Sequence, residues 1–252
     1  MDQSLSDNHE ITKVCLLAGK IILQNGGETS RVEDTMIRIA AAYGVDNSQS
    51  YVTPTGILFT IDVSVPTTRL IRISERSTNL RKVTLVNDIS RRISRGELKA
   101  CDAYRLLEEI DKQDFAYAAW LQILAAAIAS GCFLIMFAGG WHDFIPAVLA
   151  GGLGFLVLVV LHRLVPVKFF AEFLASITIG AISALMVQNG LGNNLDVIII
   201  ASVMPLVPGL HITNAVRDLI AGHLVSGLSK GAEAFLTAFA IGSGIAVVLS
   251  IY

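Results

Sequence analysis

The sequence predicts an α-helical multispan membrane domain behind an N-terminal α+β domain. Three observations carry this. The chain of 252 residues is 53% hydrophobic and only 16% charged, against about a quarter charged in an ordinary soluble domain. The charge is also unevenly placed: residues 1–117 hold 15 of the 19 Lys and Arg and 16 of the 21 Asp and Glu. Behind them come long apolar runs of membrane length. The expected division is a domain over 1–117 and a transmembrane domain over 118–252.

In the first domain, ITKVCLLAGKIILQ places Ile11, Val14, Ala18, Ile21 and Ile22 on one helical face, and Gly26–Gly27 supply its stop. ETSRVEDTMIRIAAAYG continues with Val32, Met36, Ile39, Ala40 and Tyr43 at helical spacing. Ser30 and Glu33 have the S-x-x-E spacing of a capping box. GILFTIDV alternates as a half-buried strand, SVPTT reads as a turn and RLIRIS as the antiparallel return. Helices over about 80–94 and 99–112 complete the order α-α-β-β-α-α. Two strands alone are marginal, so helices must cover them or copies must pair their edges.

Five spans are expected in the second domain: 118–137, 144–161, 167–187, a proline-broken 195–210, and 232–251. Arg163 and Lys168 fall in the second interspan loop and Arg217 and Lys230 in the fourth, while the first and third have no Lys or Arg. Basic loops face the cytoplasm, so the N-terminal domain is expected there and the C-terminus outside. The opening MDQSLSDNHE is polar and acidic, unlike a secretory leader. Small residues in AGGLGF, ASITIGAISA and AIGSGIA allow close helix packing.

Cys15, Cys101 and Cys132 stand apart, without metal-ligand spacing, and read as buried small apolar residues. No metal or cofactor is expected. Net charge near zero in both halves gives no footprint for nucleic acid. Residues 1–117 contain one histidine, His9, and the chain has neither a G-x-S-x-G nucleophile turn nor a G-x-x-x-x-G-K-[ST] phosphate loop. No catalytic residue is therefore assigned.

Three candidate sites remain. GGETSRVED is either a well-capped helix start or a small polar-ligand site formed by Glu28, Thr29, Arg31 and Asp34. Pro205, Pro208 and Gly209 break the fourth span, and broken helices at membrane depth line substrate pathways. A helix from about Thr213 would follow, with Asn214, Arg217 and Asp218 as polar contacts and Arg217 suited to a carboxylate. The other reading puts Arg217 and Asp218 at the cytoplasmic end of the span. Ionisable residues inside spans mark function by default, which singles out Glu172 and Glu233 as coupling carboxylates. Each also has an interfacial reading, Glu172 with Lys168 four residues earlier and Glu233 with Lys230 three earlier. His223 reads as interfacial.

NGGETSRVEDTMIRIAAAYG, VTPTGI and MPLVPGLHITNAVRDLIAGHLVSGLSKGAEA, with the five-span half, resemble the threonine/serine exporter family of bacterial membrane proteins. The LVPG…TNAVRDL…AEA stretch is the most specific part, and the resemblance covers nearly the whole chain. It implies a secondary exporter in the cytoplasmic membrane that moves a small carboxylate-bearing metabolite. Threonine or serine comes first by family name, with C4-dicarboxylates such as succinate close behind. Single-chain members carry about twice as many spans, so this chain resembles the longer part of a split exporter. A second, shorter membrane subunit would then be its partner. A metabolite sensor or scaffold, and a membrane-anchored enzyme, are the readings from other classes.

Overall fold

The computed structural model describes residues 2–61, 67–165, 167 and 169–252. By density of contacts the chain forms two units, residues 1–116 with 210–231, and residues 117–209 with 232–252.

The first unit begins with α1 (Asp2–Gln24), α2 (Thr29–Ala42) and three strands, β1 (Ser48–Thr53), β2 (Gly56–Ile61) and β3 (Thr67–Arg72). Helices α3 (Leu80–Ser94) and α4 (Ala100–Lys112) follow. The sheet is antiparallel in the order β1-β2-β3. The two-strand expectation is thus corrected to three. SQSYVT carries no apolar alternation, since Val52 is its only fully buried residue. β2 is the legible strand because Ile57, Phe59 and Ile61 all go inward. Asp62, Val63 and the turn expected after them lie outside the described residues.

Helices cover that inner face. Val14, Ile21, Ile22, Met36, Ile39, Phe59, Val86, Ile93 and Leu107 form one continuous core. Removing Phe59 from it would cost about 3–5 kcal/mol by the usual range for a buried aromatic. Gly26 ends α1 at φ +88°, a left-handed conformation open to glycine and strained for a side chain. The chain then turns and α2 starts at Thr29 with Glu28 as its N-cap.

The expected capping box is not formed. Glu28, not Ser30, holds the N-cap position, and no side chain of its own caps the helix. Glu33 instead turns to the sheet, where its Oε1 accepts the Val52 N–H at 3.0 Å. The cysteine expectation is also corrected: Cys15 is buried and its thiol is pushed up to about 12 by burial, whereas Cys101 and Cys132 are exposed.

The second unit is built from α5 (Ala119–Met136), α6 (Phe144–Leu164), α7 (Phe170–Gln188), α8 (Leu195–Val203) and the later part of α10 (Leu224–Ile251). The described residues hold four helices long and apolar enough to cross a membrane. The broken pair Leu195–Leu206 and Gly209–Ile220 makes a fifth if counted as one span. α6 packs against α5, α7 and α8, and its packing face is small: Ala147, Ala150, Gly151 and Gly154 are buried. Ser130, Ser176, Ser183 and Ser202 are fully buried. Three of them bond within their own helices, while Ser202 Oγ donates across to Ala147 O at 3.2 Å. Asp143 is buried at the start of α6, where its Oδ1 accepts the Asn193 N–H at 2.6 Å and Oδ2 the Asn194 amide at 3.3 Å. That carboxylate ties the α5–α6 connection to the α7–α8 connection.

The break in the fourth span has a local cause. After α8, Met204–Leu206 form one 3-10 turn with Pro205 in its first positions. Val207 is extended, at φ −62° and ψ 130°, as a residue before proline must be. Pro208 has no N–H to give. The next helix, α9, runs from Gly209 to Ile220. It therefore starts before Thr213, and the N–H groups left free by its start fall earlier than the sequence suggests.

Candidate functional site

The first unit gathers a polar cluster from two stretches far apart in sequence. One is the α1–α2 turn and the start of α2. The other is α9 with the first turns of α10, Leu224–Gly231, which belong to this unit. Asp218 sits at the centre with its side chain 0% exposed. Its Oδ1 accepts the Thr29 N–H at 3.0 Å. Its Oδ2 accepts the Thr29 hydroxyl at 2.8 Å and the Lys230 ammonium at 2.7 Å. The α2 N-terminus is thus capped by a carboxylate supplied from α9, which suits the positive end of the helix dipole.

Lys230 is 7% exposed and also reaches Gly27 O and Thr29 Oγ1, both at 3.4 Å. Asn214 Nδ2 donates to Gly26 O at 2.8 Å. At the surface, Glu28 lies between two guanidinium groups: Oε1 pairs with Arg217, and Oε2 is 3.4 Å from Arg31 Nη2. Arg217 is 64% exposed, so an anion can reach it from solvent. The helical spacing explains the division of labour on α9. Asn214 and Asp218 are four apart and both buried, while Arg217 lies off their line and faces outward.

Glu28, Thr29, Asn214, Arg217 and Asp218 therefore meet, with Arg31 at the edge. Asp34 is exposed on α2 and reaches the cluster only as a nearby charge on Glu33. Pro205, Pro208 and Gly209 shape the break in the second unit. Glu172, in the first turn of α7, lies 3.3 Å from His162 Nε2 in the last turn of α6. Lys168, its expected neighbour, lies outside the described residues. Glu233 is half-buried on α10.

Sequence reasoning gave Lys230 only an interfacial role and read Glu33 only as a cap. A lysine at the polar foot of an apolar helix is a usable signal, but its partner is twelve residues back on another helix. His223 Nε2 stands 3.8 Å from Glu33 Oε2, and Ser226 Oγ donates to Val52 O. Glu33, His223 and Ser226 thus link α2 and α10 to β1.

Burial pushes the Glu33 carboxyl above its ordinary value of 4.5, against the Val52 N–H and His223, which lower it. Asp34 and Asp218 add to the rise. The folded chain therefore holds this proton to higher pH than the unfolded chain does. Its contribution to stability is present at low pH and is lost as pH rises past 4.5 and through the raised value. Glu33→Gln keeps an acceptor for Val52, so it is expected to flatten that part of the stability profile and cost less than about 1 kcal/mol at neutral pH. Denaturation of the two proteins across a pH series checks this. A parallel slope in both would refute it.

Membrane-length helices with buried small residues and one proline break, in a chain that also carries an α+β unit, define a multispan membrane protein. The chain belongs to the threonine/serine exporter family: the family model described as "Putative threonine/serine exporter" matches residues 13–252. It is 28% identical to the "Probable succinate transporter subunit YjjP" of Escherichia coli, over 96% of this chain and 94% of that protein. It is also 28% identical to the protein of that name from Klebsiella aerogenes, over 100% of this chain and 98% of that one. The "Threonine/serine exporter" of Corynebacterium glutamicum is 23% identical over 96% of this chain, which spans 52% of that protein. No solved structure matches the chain.

Proposed function

We propose that this chain is one subunit of a two-part secondary exporter that carries a C4-dicarboxylate of the succinate class out across the cytoplasmic membrane. The reading rests first on the relatives matched along nearly their whole length, which are named as succinate transporter subunits. The relative matched over about half its length is named for threonine and serine. That name, with the family's description, favours threonine or serine export as the second reading. The half-length match also supports a second, shorter membrane subunit that supplies the remaining spans.

In this reading the first unit is cytoplasmic, the C-terminus lies outside, and the Pro205–Pro208–Gly209 break lines the pathway. Interrupted spans in transporters expose backbone N–H and carbonyl groups to substrate and coupling ions. The geometry adds one chemical observation. Arg217 is accessible and paired with a carboxylate already, so a substrate carboxylate can displace Glu28 and take a bidentate place on the guanidinium. Asn214 and Asp218 hold the helix that presents it. Glu172, paired with His162, is the proposed coupling carboxylate, and Glu233 the second candidate. The driving force would be an ion gradient, since the sequence has no nucleotide-binding loop.

Efflux from cells lacking the native pair tests this. Cells are loaded with succinate, and separately with threonine or serine dipeptides. They then express the chain alone, the chain with its short partner, or that pair with Arg217→Ala at matched membrane levels. Efflux from the pair only, reduced about tenfold or more by Arg217→Ala, is the expected result. Equal efflux from the chain alone would rule out the second subunit. No efflux of either compound would leave the sensor reading in its place.

A further inference from the structure

Helix α9 is amphipathic the wrong way round for a helix of a water-soluble domain. Its polar face is the one that the first unit buries: Asn214 bonds to Gly26, and Asp218 to Thr29 and Lys230. Its apolar face is left outside. Ile212, Val216 and Ile220 are all exposed, Ile220 at 82%. Their spacing of four puts them in one row along the helix. Leu224 and Leu228, also four apart, are exposed on the first turns of α10. We infer that this apolar face lies in the lipid bilayer. α9 is then a surface helix that runs along the membrane rather than across it and anchors the first unit there. The inference goes beyond the exporter reading and stands without it.

Three observations select lipid as the occupant. The first is that α9 cannot roll its apolar row inward. The bonds of Asn214 and Asp218 fix its rotation, and turning it over would leave the buried Lys230 ammonium without its anion. The row therefore stays exposed, and an exposed apolar patch marks a contact surface.

The second is continuity. α10 is 28 residues long and apolar enough to cross a membrane. Leu224 and Leu228 are followed by Ala232, Phe235 and Phe239, all exposed, at steps of four, three and four that keep to one face. The row on α9 is thus followed, after the turn at 221–223, by a face that runs on into a membrane-length helix.

The third is composition. From Ile212 to Leu228 the exposed large side chains are Ile, Leu and Val, and the stretch has no Trp, Tyr, Phe or Met. The cores of protein interfaces are enriched in those four. Contact with acyl chains needs only apolar area. Arg217 follows Val216 at the flank of the row and pairs with Glu28. A long cationic side chain in that position keeps its stem on apolar surface and its head in water.

The test places single nitroxide-labelled cysteines in the full chain in proteoliposomes, with Cys101→Ala and Cys132→Ala removing the exposed native thiols. Ile212→Cys, Val216→Cys, Ile220→Cys and Leu224→Cys report on the row. Phe239→Cys is the lipid reference, and Asp46→Cys, exposed ahead of β1, is the water reference. All six positions are exposed, so a label needs no room in a core, and the remaining row positions decide if one variant lowers the yield. Power saturation measures collision with oxygen, which concentrates in lipid, and with a nickel chelate, which stays in water. The row is expected to favour oxygen as Phe239→Cys does. Labels at 212 and 220 are expected at equal depth, although they lie about 12 Å apart along the axis.

Nickel-dominated collision at 216 and 220, as at 46, would overturn the inference. So would labels shielded from both reagents, which would put a second copy or another protein over the row. A depth that changes from 212 to 220 by most of their axial separation would make α9 part of a crossing and remove the surface helix. None of these outcomes depends on efflux, so the exporter reading is tested separately.

Discussion

Asp218→Asn is expected to destabilise the first unit by about 3–5 kcal/mol, because it strands the Lys230 ammonium in a buried position without its anion. The substitution changes almost no volume. It preserves an acceptor for the Thr29 N–H, 3.0 Å away, and removes the charge that faces Lys230 at 2.7 Å. Solvent cannot compensate, since the two side chains are 0% and 7% exposed. Lys230→Met should cost a similar amount for the mirrored reason. The double variant is the informative one. With both charges gone, the pocket holds an amide and a thioether, and most of the loss should be recovered. Thermal denaturation of the detergent-solubilised full chain reads all three. Against a typical total of 5–15 kcal/mol, either single change should also lower membrane levels. Single-variant losses below about 1 kcal/mol would mean that Asp218 and Lys230 are held by the backbone around them rather than by each other.

The helices of this chain were legible because their signals are local. Apolar residues at helical spacing marked α1 and α2, and Gly26, which has a positive φ, marked where α1 stops. The spans were legible by composition. β1 was not, because its inward face is Ser48, Ser50 and Val52, of which only Val52 is apolar, so no apolar alternation can be read. Glu33 shows a different failure. Its spacing from Ser30 satisfies a local rule, but a bond to Val52 on a neighbouring strand won.

The candidate site was half legible. Glu28, Thr29, Arg31 and the Asn214–Arg217–Asp218 group each stood out as polar sets where the surrounding pattern asked for none. Their meeting could not be read, since 189 positions separate Thr29 from Asp218. Nor could the allegiance of α9. Its sequence reads as a polar stretch between the broken fourth span and the fifth, facing either the substrate pathway or the cytoplasmic edge, yet its buried Asn214 and Asp218 bond to the α1–α2 turn and to Thr29. An isolated buried carboxylate is costly; Thr29 and Lys230 supply what it needs.

Gly244→Val is expected to be the most damaging single change in the second unit, with a cost above the usual 1–3 kcal/mol for overpacking. A Cβ at Gly244 would lie 2.0 Å from Ser176 Oγ and 2.5 Å from the carbonyl oxygen of Phe173. α10 and α7 can therefore be this close only while position 244 carries no side chain. A hydroxyl can rotate away, but a helix carbonyl cannot, so Ser176→Gly should fail to rescue Gly244→Val. Gly151 provides the contrast. A Cβ there meets Ser130 Oγ at 2.0 Å and Ser130 Cβ at 2.6 Å, with the Ser202 carbonyl oxygen farther off at 3.4 Å. Gly151→Ala should therefore be largely rescued by Ser130→Gly, which deletes the offending atoms. The readout is the folded fraction in detergent by size-exclusion profile, followed by efflux from the pair at matched folded levels. If packing at α5–α6 matters only for stability, rescue of folding restores efflux in full. If the bundle must also move to carry substrate, Gly151→Ala with Ser130→Gly folds but exports more slowly, because small residues at helix contacts set how freely one helix can slide on another.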